Sequence, residues 1–312
     1  MPGVVTMESA RIIDRVIGDL AGPTLILVGG IHGNEPAGVN AIRSVLGALR
    51  SSGAKVRGEI VAFAGNVRGL AGNTRYLSRD LNRMWTAEKV AAARAMREPQ
   101  AENAELVELA GAIDEVIARS HGQVFAIDLH TTSASGVPFG VIGASLAHRA
   151  FARHFHLPGI VGLEEALEGV LTSYLSTKGC VTMAVEGGQH ASADAAVSLA
   201  AVVTIALHAT GIVNAADRPE LAQAEEYLVR ARGTLPRLIG VVSRYAIEPS
   251  PDAGQDFRMQ PGFANIQPTG RGTLIAKDQT GEIRAPFDGL VLLPLYQAQG
   301  SDGFFYGRAL ND

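Results

Sequence analysis

A single cysteine, Cys180, in 312 residues excludes an internal disulfide and any multi-cysteine zinc module. A metal, if one is bound, must be held by histidine and carboxylate. No excess of one charge is present either. The 27 Lys and Arg stand against 31 Asp and Glu, a net of −4 with histidine neutral, whereas a dedicated nucleic-acid binder carries a basic excess. Charged residues make up 19% and hydrophobic residues 47%, which excludes a disordered chain. The N-terminal segment lacks the unbroken apolar core of a secretory leader, because Glu8, Arg11, Asp14, Arg15 and Asp19 interrupt it. One run, 195–216, lacks Asp, Glu, Lys and Arg and is long enough to span a bilayer. It is rich in alanine rather than leucine and carries Ser198, Thr204, His208, Thr210 and Asn214, so a buried helix is expected there. These absences predict a soluble, cytoplasmic protein with neither membrane nor nucleic acid as partner. They leave open whether it forms a homo-oligomer.

Glycine is plentiful, with 36 residues, as tight turns and close backbone approaches require. At about 100–200 residues per domain, the length suggests two domains. Residues 24–30, 59–64, 123–129 and 180–185 are short apolar runs, expected as buried strands. Residues 36–50 and 102–119 carry apolar residues at helical spacing, with Pro36 at a plausible first helical position. Strands alternating with helices imply an α/β sheet with parallel or mixed strands. The polar run 217–232 reads as one helix. Beyond about Gly233 the chain becomes punctuated by Pro and Gly between short β-type runs. The expected division is 1–225 for an α/β catalytic domain and 226–312 for an all-β domain.

Four motifs carry candidate chemistry. GGIHGNEPAG (29–38) places His32 and Glu35 three apart, just after a strand, where both can aim at one point. The alternative is a surface loop in which they merely cap the next helix. FAIDLHTT (125–132) puts His130 at the end of another strand, with Asp128 on the same strand face. Ligands at the carboxyl ends of different strands converge in open α/β sheets. His₂Glu is a known set for hydrolytic zinc, leaving a position for water. NTRYLSRDLNRMW (73–85) gathers Arg75, Arg79, Arg83, Asp80 and Asn82, and planar guanidinium groups suit carboxylates and oxyanions. A solvated loop with an internal Arg–Asp pair is its alternative. TMAVEGGQH (182–190) ends a strand on Glu186, where a carboxylate could move a proton between water and a leaving amine.

The order HGNE, RYLSRDLNR, DLHTT, VEGG resembles the succinylglutamate desuccinylase/aspartoacylase family, a branch of the zinc carboxypeptidase-like hydrolases. The resemblance runs over most of the first 215 residues and continues into the tail at GEIRAPFDGLVL. It implies a mixed-sheet zinc carboxypeptidase-like domain with helices on both faces and a C-terminal β domain capping the active site. It further implies one zinc per chain and hydrolysis of a small N-acyl amino acid or similar amide. Carried over by motif, His32, Glu35 and His130 would hold zinc. Glu186 would be the general base, and Arg75 would polarise the scissile carbonyl. Asn82 and Arg83 would bind a substrate carboxylate, and Asp80 would support a ligating histidine. A metallocarboxypeptidase acting on small peptides and a non-catalytic metal-binding protein are the alternatives. Where aspartoacylases carry an arginine for a second substrate carboxylate, this chain has Ser176, with Lys178 nearby. Neutral or basic N-acyl amino acids are therefore expected over N-acetylaspartate. Tyr296 and Tyr306 are the candidates for a substrate-contacting tyrosine in the tail. The likeness of that tail to biotinyl and lipoyl hairpins is one of fold, since Lys277 lacks the carrier context.

Overall fold

A computed structural model of the chain describes residues 11–214, 219–247 and 257–311. The first ten residues of the segment read above for a leader lie outside these. So do Ala215 and Ala216 of the uncharged run, and Asp217 and Arg218 of the expected polar helix.

The apolar runs form strands because each is buried on both faces. In chain order the strands are β1 (Ile12–Ile17), β2 (Leu20–Gly29), β3 (Arg57–Ala64), β4 (Val124–Thr132), β5 (Phe139–Ile142), β6 (Gly159–Val161) and β7 (Val181–Gln189). The tail adds β8 (Leu238–Ala246), β9 (Arg258–Met259), β10 (Gln267–Thr269), β11 (Leu274–Asp278), β12 (Gly281–Arg284), β13 (Gly289–Leu292) and β14 (Asp302–Ala309). The four long helices are α1 (Ala37–Ser52), α2 (Glu102–Arg119), α3 (Ala193–Ala209) and α4 (Pro219–Arg232). Alternation along β2 divides the core. Leu25 and Leu27 pack with Ile42 and Leu46 of α1 and Leu199 and Val202 of α3, while Ile26 and Val28 pack with Leu106, Leu109 and Ile113 of α2. Helices thus cover both faces of the sheet.

The main sheet has the order β1-β3-β2-β4-β7-β5-β6-β8-β14-β13-β10, and a small sheet has the order β12-β11-β9. β3, β2, β4 and β7 run parallel, so their carboxyl ends share one rim. β5 is antiparallel to β7, and β8 is parallel to β6. The sheet is therefore mixed and passes without a break from residues before 225 into the tail. An exposed edge of β6 would offer unpaired N–H and C=O groups, and β8 covers it. The uncharged run forms most of α3, which lies against α1, α4 and β7 and buries Leu199, Val202, Val203 and Ala206. Among the described residues no helix is long and apolar enough to cross a membrane.

Two carboxylates in the first turn of α2, where acidic residues also suit the helix dipole, tie down the loops that reach the rim. Glu102, fully buried, accepts from the N–H groups of Leu77 (2.6 Å), Ser78 (2.9 Å) and Arg79 (3.2 Å), and from Ser78 Oγ (2.7 Å). One turn later Glu105 accepts from the N–H groups of Val67 and Arg68, both at 3.0 Å, and from the guanidinium groups of Arg11 and Arg68. Glu102→Ala would leave the 77–79 amides without an acceptor and is expected to cost about 3 kcal/mol. Urea denaturation measures this, and a loss under about 0.5 kcal/mol would show that the anchor is dispensable.

Candidate active site

β2 ends at Gly29, and the next residues turn sharply. Gly30 has φ +74°, a left-handed conformation that favours glycine. A Cβ on Gly33 would lie 2.0 Å from the carbonyl carbon of Gly69, so only glycine allows the two loops to touch. This turn delivers His32 and Glu35 to the rim. Helix α1 begins at Ala37, with Pro36 immediately before it and no side-chain cap. Glu35 instead points its carboxylate into the protein, where Oε2 accepts from the N–H of Thr131 (2.9 Å). β4 runs on through His130 to Thr132, and β7 runs through Glu186 to Gln189. His130 and Glu186 are register partners across the β4–β7 ladder.

The Nδ1 atoms of His32 and His130 lie 2.9 and 3.2 Å from the two oxygens of Glu35. One donor atom from each of the three residues lies within 4.8 Å of the others. The far nitrogens are also engaged. Nε2 of His32 lies 3.1 Å from Asp80, and Nε2 of His130 lies 2.7 Å from Asp128. A neutral imidazole donating Nε2–H to such a carboxylate presents a bare Nδ1 lone pair to Glu35. Lone pair against lone pair at this range is repulsive unless a proton or a cation lies between. Two histidines backed by carboxylates plus one glutamate form the donor set of a hydrolytic zinc site, so the residues fit that ion.

Electrostatics lead to the same conclusion. Burial raises the carboxyl of Glu35, but the charge of His32 and hydrogen bonds from both histidines hold it well below its usual range. Burial also raises Asp80, and His32 and Arg75 outweigh it in the same way. Burial opposes charge on His130, yet Asp128 and Glu35 hold its imidazolium well above the usual range. Glu186 behaves differently: burial pushes it up to about 8, against the pull of His130.

His32, Glu35, Arg75, Asp80, Asn82, Arg83, His130 and Glu186 line one cavity of about 950 Å³, part of it open to solvent, whereas Arg79 and Asp128 of the same motifs do not. Arg75 donates to Glu35 (3.4 Å) and Asp80 (3.1 Å). Arg83 donates to Asp302 of β14 (3.0 Å), which Arg244 of β8 also holds (2.6 Å). Asn82 lies 3.4 Å from Nε2 of His130, and its oxygen accepts from the N–H of Leu171 (2.9 Å). The tail contributes Leu293, Pro294, Leu295, Gln297, Gly300, Ser301, Asp302 and Phe305 to the lining. Of the residues that line the cavity, three have a buried side-chain atom with no hydrogen-bond partner among the described residues: Arg75 at Nε, Arg83 at Nε and Glu186 at Oε2.

The succinylglutamate desuccinylase/aspartoacylase catalytic-domain model matches residues 21–204, more than half of the chain. The chain belongs to the succinylglutamate desuccinylase/aspartoacylase family. Succinylglutamate desuccinylases and aspartoacylases are deacylases, and the match spans every one of the four motifs. Solved structures of similar fold include succinylglutamate desuccinylase from Chromobacterium violaceum (TM-score 0.61, 14% identity, 95% of this chain and 88% of that one). Another is the product-bound ectoine utilization protein EutE (DoeB) from Ruegeria pomeroyi (0.66, 18%, 95% and 88%). A third is the succinylglutamate desuccinylase/aspartoacylase from Rhodobacter sphaeroides (0.66, 18%, 96% and 88%). At these identities the likeness is one of fold, and it extends over the tail beyond residue 204.

Other residues noted in the sequence fall elsewhere. Lys178 pairs with Asp114 (2.8 Å) and lies over the ring of Tyr174. Neither it nor Ser176 lines the cavity. Tyr306 is buried and donates to the carbonyls of Thr269 and Phe287, while Tyr296 donates to that of Gln260. Both tyrosines work as struts of the tail. The sequence reading gave no role to Asp128, although its position two residues before His130 was the available signal. It did not find Glu164 or Asp302, which no motif marks, or His190, whose Nδ1 lies 2.7 Å from Thr131 Oγ1.

Asp128 and Glu35 hold the proton of His130 well above its usual range, so zinc must displace that proton. Zinc affinity is expected to rise with pH, most steeply through the raised range in which His130 gives up its proton. Calorimetry in buffers of different ionisation enthalpy should register proton release. Asp128→Asn should weaken zinc about 10- to 100-fold. Affinity unchanged by Glu35→Ala would overturn the ligand set.

Proposed function

We propose that this chain is a zinc-dependent deacylase that hydrolyses the amide of a small N-acyl amino acid to a carboxylate and a free amine. One zinc per chain would be held by His32, Glu35 and His130. The observation that carries the reading is the set of unpartnered atoms beside that triad: two guanidinium Nε–H donors and one carboxylate oxygen in one cavity. They suit a substrate with two oxygen acceptors and a water with a proton to give. Zinc at this position would supply Lewis acidity toward water and the amide carbonyl.

Glu186 takes the proton of the attacking water and returns it to the amide nitrogen as the C–N bond breaks. A carboxyl raised by burial suits both halves of that transfer. Arg75 faces the carbonyl oxygen and stabilises its developing charge. Arg83 receives the carboxylate of the amino-acid part through its free Nε–H. Asn82 borders the same subsite and positions His130. Asp80 and Asp128 keep the imidazoles oriented.

A peptide substrate needs an open groove, and here residues 293–295 and 300–302 of the tail line the cavity, which supports small amides over a carboxypeptidase activity. A purely metal-binding role would leave the unpartnered Glu186 without a purpose. Glu186→Gln is expected to keep zinc and fold while turnover of N-acetyl amino acids falls about 10²–10⁴-fold. Metal content by mass spectrometry and amine release, with and without chelator, check this. Near-normal turnover at full zinc occupancy would assign the proton transfer to another group.

A further inference from the structure

We infer that Glu164 selects the substrate's side chain, and that the preferred substrate is an N-acyl amino acid whose side chain ends in a cation, an ammonium or a guanidinium. The inference rests on the deacylase reading and adds the substrate class to it. Glu164 sits on the short helix Leu163–Ala166 and lines the same cavity as His32 and Glu186. Its Oε1 accepts from Thr172 Oγ1 (2.5 Å) and its Oε2 from Ser173 Oγ (3.3 Å). Hydroxyl groups orient a carboxylate but do not neutralise it. Among the described residues no lysine or arginine pairs with Glu164. His148, across Gly143, has its Nε2 3.3 Å from the Cys180 carbonyl, a contact that calls for the ring proton there, and its Nδ1 has no partner.

The surroundings make this lack of a cation costly. Val141, Leu163, Leu167 and Val170 line the same cavity as Glu164, and a carboxylate beside aliphatic groups loses hydration without gaining a counter-charge. Its carboxyl is raised, chiefly by burial, against the hydrogen bond from Thr172 and the charge of His148. The cavity's arginines stand in the opposite state: Arg83 is answered by Asp302, and Arg75 by Glu35 and Asp80. Among the described residues, two carboxylates facing the cavity thus lack a lysine or arginine partner. Glu186 is committed to proton transfer, and Glu164 is left for the substrate. An aliphatic stem would pack on the apolar wall while its cationic head reaches Glu164, as lysine and arginine side chains do at protein surfaces. An acidic side chain would meet Glu164 as a like charge, and Lys178, outside the cavity, is already engaged by Asp114.

The test compares Nα-acetyl-lysine, Nα-acetyl-norleucine and Nα-acetyl-glutamate on the zinc-loaded enzyme. Wild type should favour acetyl-lysine over acetyl-norleucine by about 10- to 100-fold in kcat/KM. Glu164→Gln should erase most of that preference through KM while acetyl-norleucine stays within about twofold. Glu164→Arg should move the preference toward acetyl-glutamate. Thermal shifts with free lysine and norleucine give a second readout that needs no turnover. Lysine should stabilise wild type more than norleucine does, and Glu164→Gln should remove the difference. Equal handling of lysine and norleucine by wild type overturns the inference, as does a uniform loss on all three substrates in Glu164→Gln. Turnover without a lysine preference sinks the subsite and leaves the deacylase reading standing. A lysine-specific shift that depends on Glu164, with no turnover of any N-acyl amino acid, does the reverse.

Discussion

Glu35 holds the site together. Its carboxylate, 2% exposed, lies between two imidazoles and takes a further bond from the Thr131 N–H. One carboxylate can do this only if His32, on the turn after β2, and His130, inside β4, arrive at the same point. That requires parallel neighbouring strands ending at one rim. It also requires turns tight enough for Gly33 to touch the backbone of Gly69. Glu35, Asp80 and Asp128 gather with two histidines and Arg75 in a low-dielectric site, where each charge depends on its partners. The donor atoms of His32, Glu35 and His130 already stand at ligand spacing.

The supporting elements serve the same constraint at one remove. Asp80 steadies His32 and is itself held by Arg75 and by the backbone of the 3₁₀ turn Leu81–Arg83. The loop carrying Arg75 and Asp80 is anchored from below by Glu102 of α2, whose buried carboxylate gathers three consecutive amides. On the other side, Asp302 joins Arg83 of the motif loop to Arg244 of β8. The tail therefore sets which charges the cavity shows to a ligand, as well as bounding its size. Among the described residues, Glu164 then lines the cavity without a lysine or arginine partner.

Much of this was legible in the residues. Apolar runs buried on both faces announce central parallel strands, and 102–119 carries the helical stripe that α2 buries against β2 and β3. The four motifs were readable because metal and proton-transfer chemistry accepts few residue types, and strand ends are where an α/β sheet can use them. Less was legible at the boundaries. His130 and Glu186 lie within their strands rather than at the ends, since β4 and β7 continue pairing through Thr132 and Gln189. Pairing energy comes from the neighbour strand, which the local sequence does not contain.

The sequence by itself determined the chemistry on offer: histidines, carboxylates and guanidinium groups on short turns after apolar strands, with no cysteine set to compete for a metal. Only the tertiary structure decided how those charges pair. Arg83 meets Asp302 from 219 residues away, Asn82 turns to His130 and Leu171, and among the described residues Glu164 lines the cavity without a lysine or arginine partner. The physical reason is range. Strand and helix formation is written in neighbours two to four residues apart, whereas the state of a buried charge depends on every group folded within a few ångströms of it, wherever along the chain that group began.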